Sequence, residues 1–468
     1  MKRKHGEDEP LMQPPLVFTA DSDESLPPLL DVLADSLRLD LPALALATLL
    51  TPVPLGRLLN DCWGKRPLVV HRSDVRRPQV TELLSSKDIQ TLLKEKHLQY
   101  GLNVDIATYD LRHGRRTLND GENAATHDDV MRRFAEGCSV RILHPQRYQD
   151  ALLQLVQALE RFFSSPVGCN AYWTPASAQG FAPHYDDIDA LVLQLEGEKR
   201  WRLYAPLQES EVLPRYSSTD FEAKDLGPVL AEVILKPGDM MYMPRGLIHE
   251  AFSLKDCHSL HVTISVGQRC AWVDFLELAL PAALRAAAEE MPELRTSLPR
   301  RFFDEMGAMQ SDRGDADAPG LRGDIIRWIR DLMQRICDAA PLDAAADQMA
   351  AAFQRTRAPP DAVCCERELA GVDKVRLAFA GCARLCIEED SVVVYHPFNN
   401  ARAKLMGGEA NSNALSFQLD AGPVVEALLR TGPKPSTLEE VARQCDVRKR
   451  DVLPVASALA RVGILHVM

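Results

Sequence analysis

The chain has 468 residues, 46% apolar and 26% charged, with a net charge of −12 and a pI near 5.5. That length predicts two or three domains, and the composition is that of a globular protein. The acidic balance argues against a surface that coats nucleic acid and suits a basic protein partner, whose encounter opposite charge steers.

No apolar run reaches the length of a membrane span. The best, Leu41–Leu50, is cut by Pro42 and followed by Pro52 and Pro54. No secretory pattern opens the chain. Eleven scattered cysteines without a C-x-x-C pair read as reduced thiols of a cytosolic or nuclear protein.

Residues 1–25 carry K-R-K-H, G-E-D-E and D-S-D-E and read as a disordered polar tail, with Lys2-Arg3-Lys4 as a short import signal. Helical pattern dominates 26–60. Residues 61–72 then read as a helix end, a proline break and a strand ending on a structural His71. Residues 100–109 and 139–143 read as strands. Arg141 interrupts the apolar alternation of the second, so an inward Arg141 needs an anionic or carbonyl partner. His127-Asp128-Asp129 opens a helix, where positions i and i+2 diverge, and makes no site.

The stretch 170–204 carries the chemistry. His184 and Asp186 lie two apart, just before the alternating run 190–195, so in extended chain both leave from one face. An imidazole and a carboxylate on one face are two ligands of a three-ligand non-haem iron(II) site. The block G-D-M-M-Y-M-P-R-G-L-I-H, residues 238–249, reads as turn, strand, Pro-x-Gly turn and a strand opening on His249. Two hairpins, at E-G-E and at Pro-x-Gly, would bring His249 across to complete the set. Residues 205–231 read as a polar loop over the pocket mouth. In the last strand, His258 and His261 face opposite sides and cannot share a metal, so both read as structural or exposed. Thr263 and Ser265 share His261's side, which makes that face polar enough to line a pocket.

After Cys270 the pattern turns helical. Trp272–Glu290 is rich in Ala and Leu. Ile325, Ile326, Ile329, Leu332, Met333 and Ile336 form an apolar stripe at helical spacing, core or dimer surface. Pro359-Pro360 marks a boundary. Beyond it, 375–379, 383–387 and 392–395 read as strands and 424–429 as a helix. A capping box at 436–439, a second helix to Val462, Gly463 as its cap and a strand at 464–467 draw a winged-helix outline. Arg443, Arg448, Lys449 and Arg450 are offset by Glu439, Glu440, Asp446 and Asp451. No nucleic-acid recognition face emerges, so a protein-binding or structural wing is expected.

The 238–249 block resembles the second signature of cupin double-stranded β-helices, and the whole stretch resembles the JmjC class of iron(II)/2-oxoglutarate oxygenases. Four motifs, S-A-Q-G-F-A-P-H-Y-D-D-I, L-Q-L-E-G-E-K-R-W-R-L-Y, L-K-P-G-D-M-M-Y-M-P-R-G-L-I-H and H-S-L-H-V-T-I-S, are similar to those of the ribosomal oxygenases, nearest the nucleolar branch. Those are histidyl hydroxylases of large-subunit ribosomal proteins. The resemblance implies an α+β chain: a JmjC/cupin double-stranded β-helix in a catalytic domain over 26–269, a helical dimerisation domain over 270–358 and a winged-helix domain over 359–468. It implies iron(II) on His184, Asp186 and His249, and 2-oxoglutarate as cosubstrate, held by Lys199 and Thr263 with Asn170 and Tyr172. It implies Arg141 and Ser265 against the substrate segment. By its residues alone Lys199 reads as a surface lysine. The resemblance further implies a homodimer, a ribosomal-protein substrate and a place in the nucleus, with nucleolus and cytoplasm as alternatives. The competing readings are histone lysine demethylation on a histone H3 tail and a non-catalytic cupin adaptor in ribosome assembly. The hydroxyls and amides of Asn170, Tyr172 and Ser265 suit an imidazole better than a methylammonium.

Overall fold

The computed structural model describes residues 10–20, 29–34, 40–72, 78–119, 124–317, 319–404, 414–432 and 434–468. The import signal Lys2-Arg3-Lys4 and most of the expected tail lie outside the described residues. In chain order the strands of the N-terminal part are β1 (Leu16–Ala20), β2 (Leu68–Arg72), β3 (Val104–Asp110), β4 (Gly114–Thr117), β5 (Ser139–Leu143), β6 (Val167–Thr174), β7 (Asp189–Gly197), β8 (Lys199–Tyr204), β9 (Val229–Leu235), β10 (Met240–Met243), β11 (Ile248–Ser253) and β12 (Ser259–Val266). Among the described residues, nine of these make one sheet, in the order β1-β2-β10-β7-β12-β6-β5-β3-β4, and β11-β8-β9 make a second.

Period-two alternation explains how the large sheet is buried on both faces. In β7, Leu191, Leu193 and Leu195 point to the outer core, where they meet the helices Leu41–Leu50 and Asp150–Phe163. Ala190 and Val192 point the other way, against Trp201, Leu203 and Leu235 of the second sheet. β10 divides in the same manner, Met240 and Tyr242 outward, Met241 and Met243 inward. Leu46, Leu49, Leu155 and Leu159 on the covering helices are fully buried, each contributing about 1.5–3 kcal/mol relative to exposure.

β12 and β6 break the pattern to a purpose. Leu260, Val262 and Ile264, with Cys169, Ala171 and Trp173, fill the outer core. The alternate residues His261, Thr263 and Ser265 pair in register with Tyr172, Asn170 and Gly168 on the inner side. A polar patch therefore faces the space between the two sheets.

Three expectations need correction. Residues 16–20, read as part of a disordered tail, form β1, which pairs in parallel with β2 from Leu16↔Leu68 to Ala20↔Arg72; the apolar L-V-F outweighs its charged surroundings. The two expected hairpins are not hairpins. β7 lies in the large sheet and β8 in the small one, and β10 and β11 divide likewise. The chain crosses between sheets at each turn. At the first, Gly197 has φ +59 and a Cβ there would meet the His258 carbonyl oxygen at 1.7 Å, so only glycine passes. In the C-terminal capping box the cap is Thr437 with Glu440, one residue later than expected.

In the Trp272–Glu290 helix small side chains face inward, Ala279, Ala283 and Ala287 being buried, while Trp272, Leu276, Leu280 and Leu284 are exposed. Of the apolar stripe in the Leu321–Asp338 helix, Ile325 is buried and Met333 is exposed. The C-terminal part has β13 (Lys374–Leu377), β14 (Arg384–Glu388), β15 (Ser391–Tyr395), β16 (Ala414–Gln418), β17 (Ser436–Thr437) and β18 (Leu465–Val467). They form the sheets β17-β13-β18 and β14-β15-β16. The helices Gly422–Leu429, Leu438–Gln444 and Lys449–Arg461 bury Leu428, Leu438 and Leu459 in one core. A buried joint fastens this part to the first. Arg357 lies 3.8 Å from Glu160, whose carboxylate accepts from the Ala358 amide at 2.9 Å, and Gln157 donates to the Pro359 carbonyl at 2.6 Å.

Candidate metal centre

His184 stands alone between β6 and β7. It forms an isolated antiparallel bridge with His249, the second residue of β11. The two backbones exchange hydrogen bonds, His249 to His184 at 2.8 Å and the reverse at 3.1 Å. So His184 and Asp186 occupy an extended bridge segment and not the start of a regular strand. The turn before β11 depends on Gly246, with φ +88, where a Cβ would meet the Glu211 carbonyl oxygen at 2.2 Å. Its amide donates to the Asp186 carbonyl at 3.0 Å.

Both rings are oriented from behind. His184 Nδ1 lies 2.8 Å from the Ala182 carbonyl and His249 Nδ1 3.0 Å from that of Leu247. A carbonyl only accepts, so each Nδ1 carries the proton and each Nε2 presents a lone pair. Asp186 Oδ1 is 3.8 Å from His184 Nε2 and Oδ2 is 3.8 Å from His249 Nε2. One ligand atom from each of the three lies within 4.8 Å of the others. Burial first, and the neighbouring His184 second, hold His249 well below the ordinary histidine range, which keeps it a neutral ligand. Two imidazoles and one carboxylate converging on one open side are the donor set of a non-haem iron(II) site, so these residues fit that metal.

They open on a cavity of about 190 Å³ that also meets Lys199, Thr263, Tyr172 and Arg141. Lys199 is buried, not a surface lysine, because β8 lies inside the second sheet's contact with the first. Its Nζ donates to Thr174 Oγ1 at 3.2 Å, and no carboxylate pairs with it among the described residues. Burial pushes its pKa down to about 7. Beside it, His261 stacks on Tyr172 at 4.9 Å and its buried Nδ1 has no partner among the described residues. An unpaired ammonium and an orphaned ring nitrogen in one cavity fit an anionic cosubstrate.

Arg141 has the anion its position demands: its Nε donates to Asp105 on β3 at 2.9 Å. Asn170 and Ser265 sit on the next rungs of the same polar face but do not line the cavity, and Asn170 accepts from the His144 amide at 3.3 Å. His71 pairs with Asp239 at 2.7 Å, a structural contact, and His127 begins a helix capped by Thr126.

Several lining residues escaped the sequence reading: Phe181, Arg115, Trp201, Glu250, Ser217 and Ser218. Arg115 stacks 4.5 Å from the centre of the Phe181 ring, and Arg141 stands 5.5 Å from it. His261 was legible by its i+2 spacing from Thr263. Arg115 was not, since β4 shows no apolar alternation.

A double-stranded β-helix with two histidines and a carboxylate at one end of its cavity is the build of a JmjC domain, and residues 141–272 match the JmjC domain family model. Ribosomal oxygenase 1 of Gallus gallus is 35% identical over 438 residues, covering 89% of this chain and 70% of its own. The bifunctional lysine-specific demethylase and histidyl-hydroxylase NO66 of Aedes aegypti is 33% identical over 442 residues, covering 90% and 67%. A crystal structure of the Escherichia coli ribosomal oxygenase YcfD aligns over 89% of this chain and 98% of its own at 15% identity, with a TM-score of 0.47. The chain belongs to the JmjC ribosomal oxygenase family.

Proposed function

We propose that this chain is an iron(II)- and 2-oxoglutarate-dependent oxygenase that hydroxylates a histidine side chain of a large-subunit ribosomal protein. One observation carries the reading: Lys199, a buried ammonium without an anion among the described residues, opens on the same cavity as His184, Asp186 and His249. Iron(II) and 2-oxoglutarate, when bound, supply the oxidation that turns a C–H bond into C–OH, using dioxygen and releasing succinate and carbon dioxide. His184, Asp186 and His249 hold the metal by one side and leave its cavity side free. Lys199 takes the far carboxylate of the cosubstrate, with Thr263 and Tyr172 along the same wall and Asn170 paired with Thr263 outside the cavity lining. Arg141, which lines the cavity, meets the substrate segment, with Ser265 further along the same polar face and outside the cavity lining.

Lysine demethylation is the second reading, since relatives carry both activities in their names. Phe181, Glu250 and Asp220 at the cavity would suit a methylammonium. The guanidiniums of Arg115 and Arg141, however, already occupy the Phe181 ring. A neutral imidazole meets no such repulsion, which favours histidine.

We also infer a homodimer through the segment 270–358, supported by the exposed Trp272, Leu276, Leu284 and Met333. The segment 359–468 reads as a winged helix that binds protein, and the nucleus is the expected compartment. The test of function is incubation with iron(II), 2-oxoglutarate and large-subunit ribosomal proteins, in parallel with methylated histone H3 peptides. A gain of one oxygen atom on a histidine, matched by succinate, is expected. Loss of methyl groups alone supports demethylation, and absence of succinate with every substrate overturns the enzyme reading.

A further inference from the structure

Asp186 differs from the two histidine ligands. Each imidazole is braced through its Nδ1, but the Asp186 carboxylate receives no hydrogen bond among the described residues, and its side chain is about one-third exposed, at 34%. With no hydrogen bond to hold the carboxylate among the described residues, its aim depends on how its backbone is held. That backbone is held on one side by the Gly246 amide. On the other side lies the loop between β8 and β9, which contributes no ligand.

Two adjacent serines of this loop grip the residues that flank Asp186. Ser218 Oγ accepts from the Tyr185 amide at 2.9 Å, and the Ser218 amide donates to the Tyr185 carbonyl at 3.0 Å. Ser217 Oγ donates to Asp187 Oδ1 at 2.9 Å and accepts from the Asp187 amide at 3.2 Å. The Phe221 amide donates to the Pro183 carbonyl at 2.9 Å. The loop is itself anchored. Arg215 donates to Glu277 at 2.7 and 2.8 Å and to Asp274 at 3.0 Å, both on the Trp272–Glu290 helix. A single exposed ion pair is weak, but a guanidinium forked onto two carboxylates fixes geometry.

We propose that Ser217 and Ser218 are positioning residues for the Asp186 carboxylate, and that Arg215 ties them to the Trp272–Glu290 helix. The inference rests on His184, Asp186 and His249 being the metal site, and it assigns the outer support of the third ligand to a loop distant in sequence. Outer partners of metal ligands typically matter 10- to 100-fold in affinity, about the effect expected on losing both hydroxyls.

The probe is cobalt(II) alone, added to metal-free protein without cosubstrate, read by visible absorption and calorimetry. The Ser217→Ala/Ser218→Ala variant is expected to lose about 10- to 100-fold in affinity and to change its absorption spectrum, while thermal unfolding of the metal-free protein stays put. Ser217→Thr/Ser218→Thr keeps both hydroxyls and is expected to bind like the parent. Arg215→Ala is expected to weaken binding, and Arg215→Lys to restore part of it. Should the double alanine variant not fold, Ser217→Ala and Ser218→Ala singly are read the same way. Parental affinity and spectrum in the alanine variants overturn the proposal. Failure of the parent protein to bind cobalt, or unchanged binding in His184→Ala, overturns the metal-site reading instead.

Discussion

Replacing Lys199 by alanine is expected to separate cosubstrate binding from metal binding. The ammonium is buried, and its hydrogen-bond partner is the Thr174 hydroxyl at 3.2 Å. An incoming carboxylate therefore meets a desolvated cation with no competing anion. A charge-assisted contact of this kind contributes roughly 1.5–3 kcal/mol, or about one to two decades in affinity. Burial also fixes a pH signature. With its pKa near 7 in the free site, Lys199 must take up a proton to pair with 2-oxoglutarate at higher pH. Affinity is expected to be level below about pH 7 and to fall by up to about tenfold per unit above it. The Lys199→Ala curve is expected to be weaker and flat. The Lys199→Arg curve should be flat too, because a guanidinium stays charged, with part of the affinity restored. The unliganded fold responds in the opposite sense. A folded pKa of about 7 lies below the ordinary 10.5, so the cost of burying the charge is full below pH 7 and fades as pH rises toward 10.5. Lys199→Met should thus stabilise the metal-free, cosubstrate-free protein at neutral pH while abolishing tight binding. Calorimetric titration of 2-oxoglutarate with manganese(II) in place of iron, across this pH range, decides the matter. Superimposed curves for parent and Lys199→Ala would refute the reasoning and put the cosubstrate elsewhere.

Other expectations follow from the same geometry. His184→Ala, Asp186→Ala and His249→Ala should each abolish turnover while circular dichroism stays native, whereas His127→Ala, at a helix start, should leave succinate production unchanged; an active Asp186→Ala enzyme would remove the triad assignment. Ile329→Glu with Met333→Glu should turn a dimer into a monomer by light scattering, and a parent protein already monomeric at micromolar concentration would end the dimer reading. Gly246→Ala forces a side chain into a positive φ and onto the Glu211 carbonyl, and urea unfolding should find it destabilised by roughly 2–4 kcal/mol.

The candidate triad was legible for reasons that are local. His184 and Asp186 stand two apart before an alternating run, and His249 follows a glycine-proline-glycine punctuation that forces a turn. The polar face of β12 was legible for the same reason, period two. What was not legible is which strand pairs with which. A one-residue step between β7 and β8 reads as a hairpin, and only the closeness of His258 to Gly197, far away in sequence, marks the crossing between sheets. The burial of Lys199 follows from that crossing, so it could not be read without it. The spacing of His261 from Thr263 and Ser265 places it on the pocket-lining face, but its ring's burial against Tyr172 and Trp201 is tertiary and leaves no mark in the spacing. β1 was lost among the charges around it, although L-V-F pairs with β2 as any apolar edge would.

The bridge between His184 and His249 bears on when a metal can be taken up, since it is what brings the two candidate ligands together. The bridge joins segments far apart in the chain, so a metal that needs both histidines can bind only once the two have met. Before that step a nascent chain offers only the pair His184 and Asp186. The sheets and helices are held together by apolar side chains that close without the metal. The fold is therefore expected to stand without its metal, unlike small domains that exist only while theirs is bound. A chelator should strip such a site and leave an intact vessel, ready to be filled again.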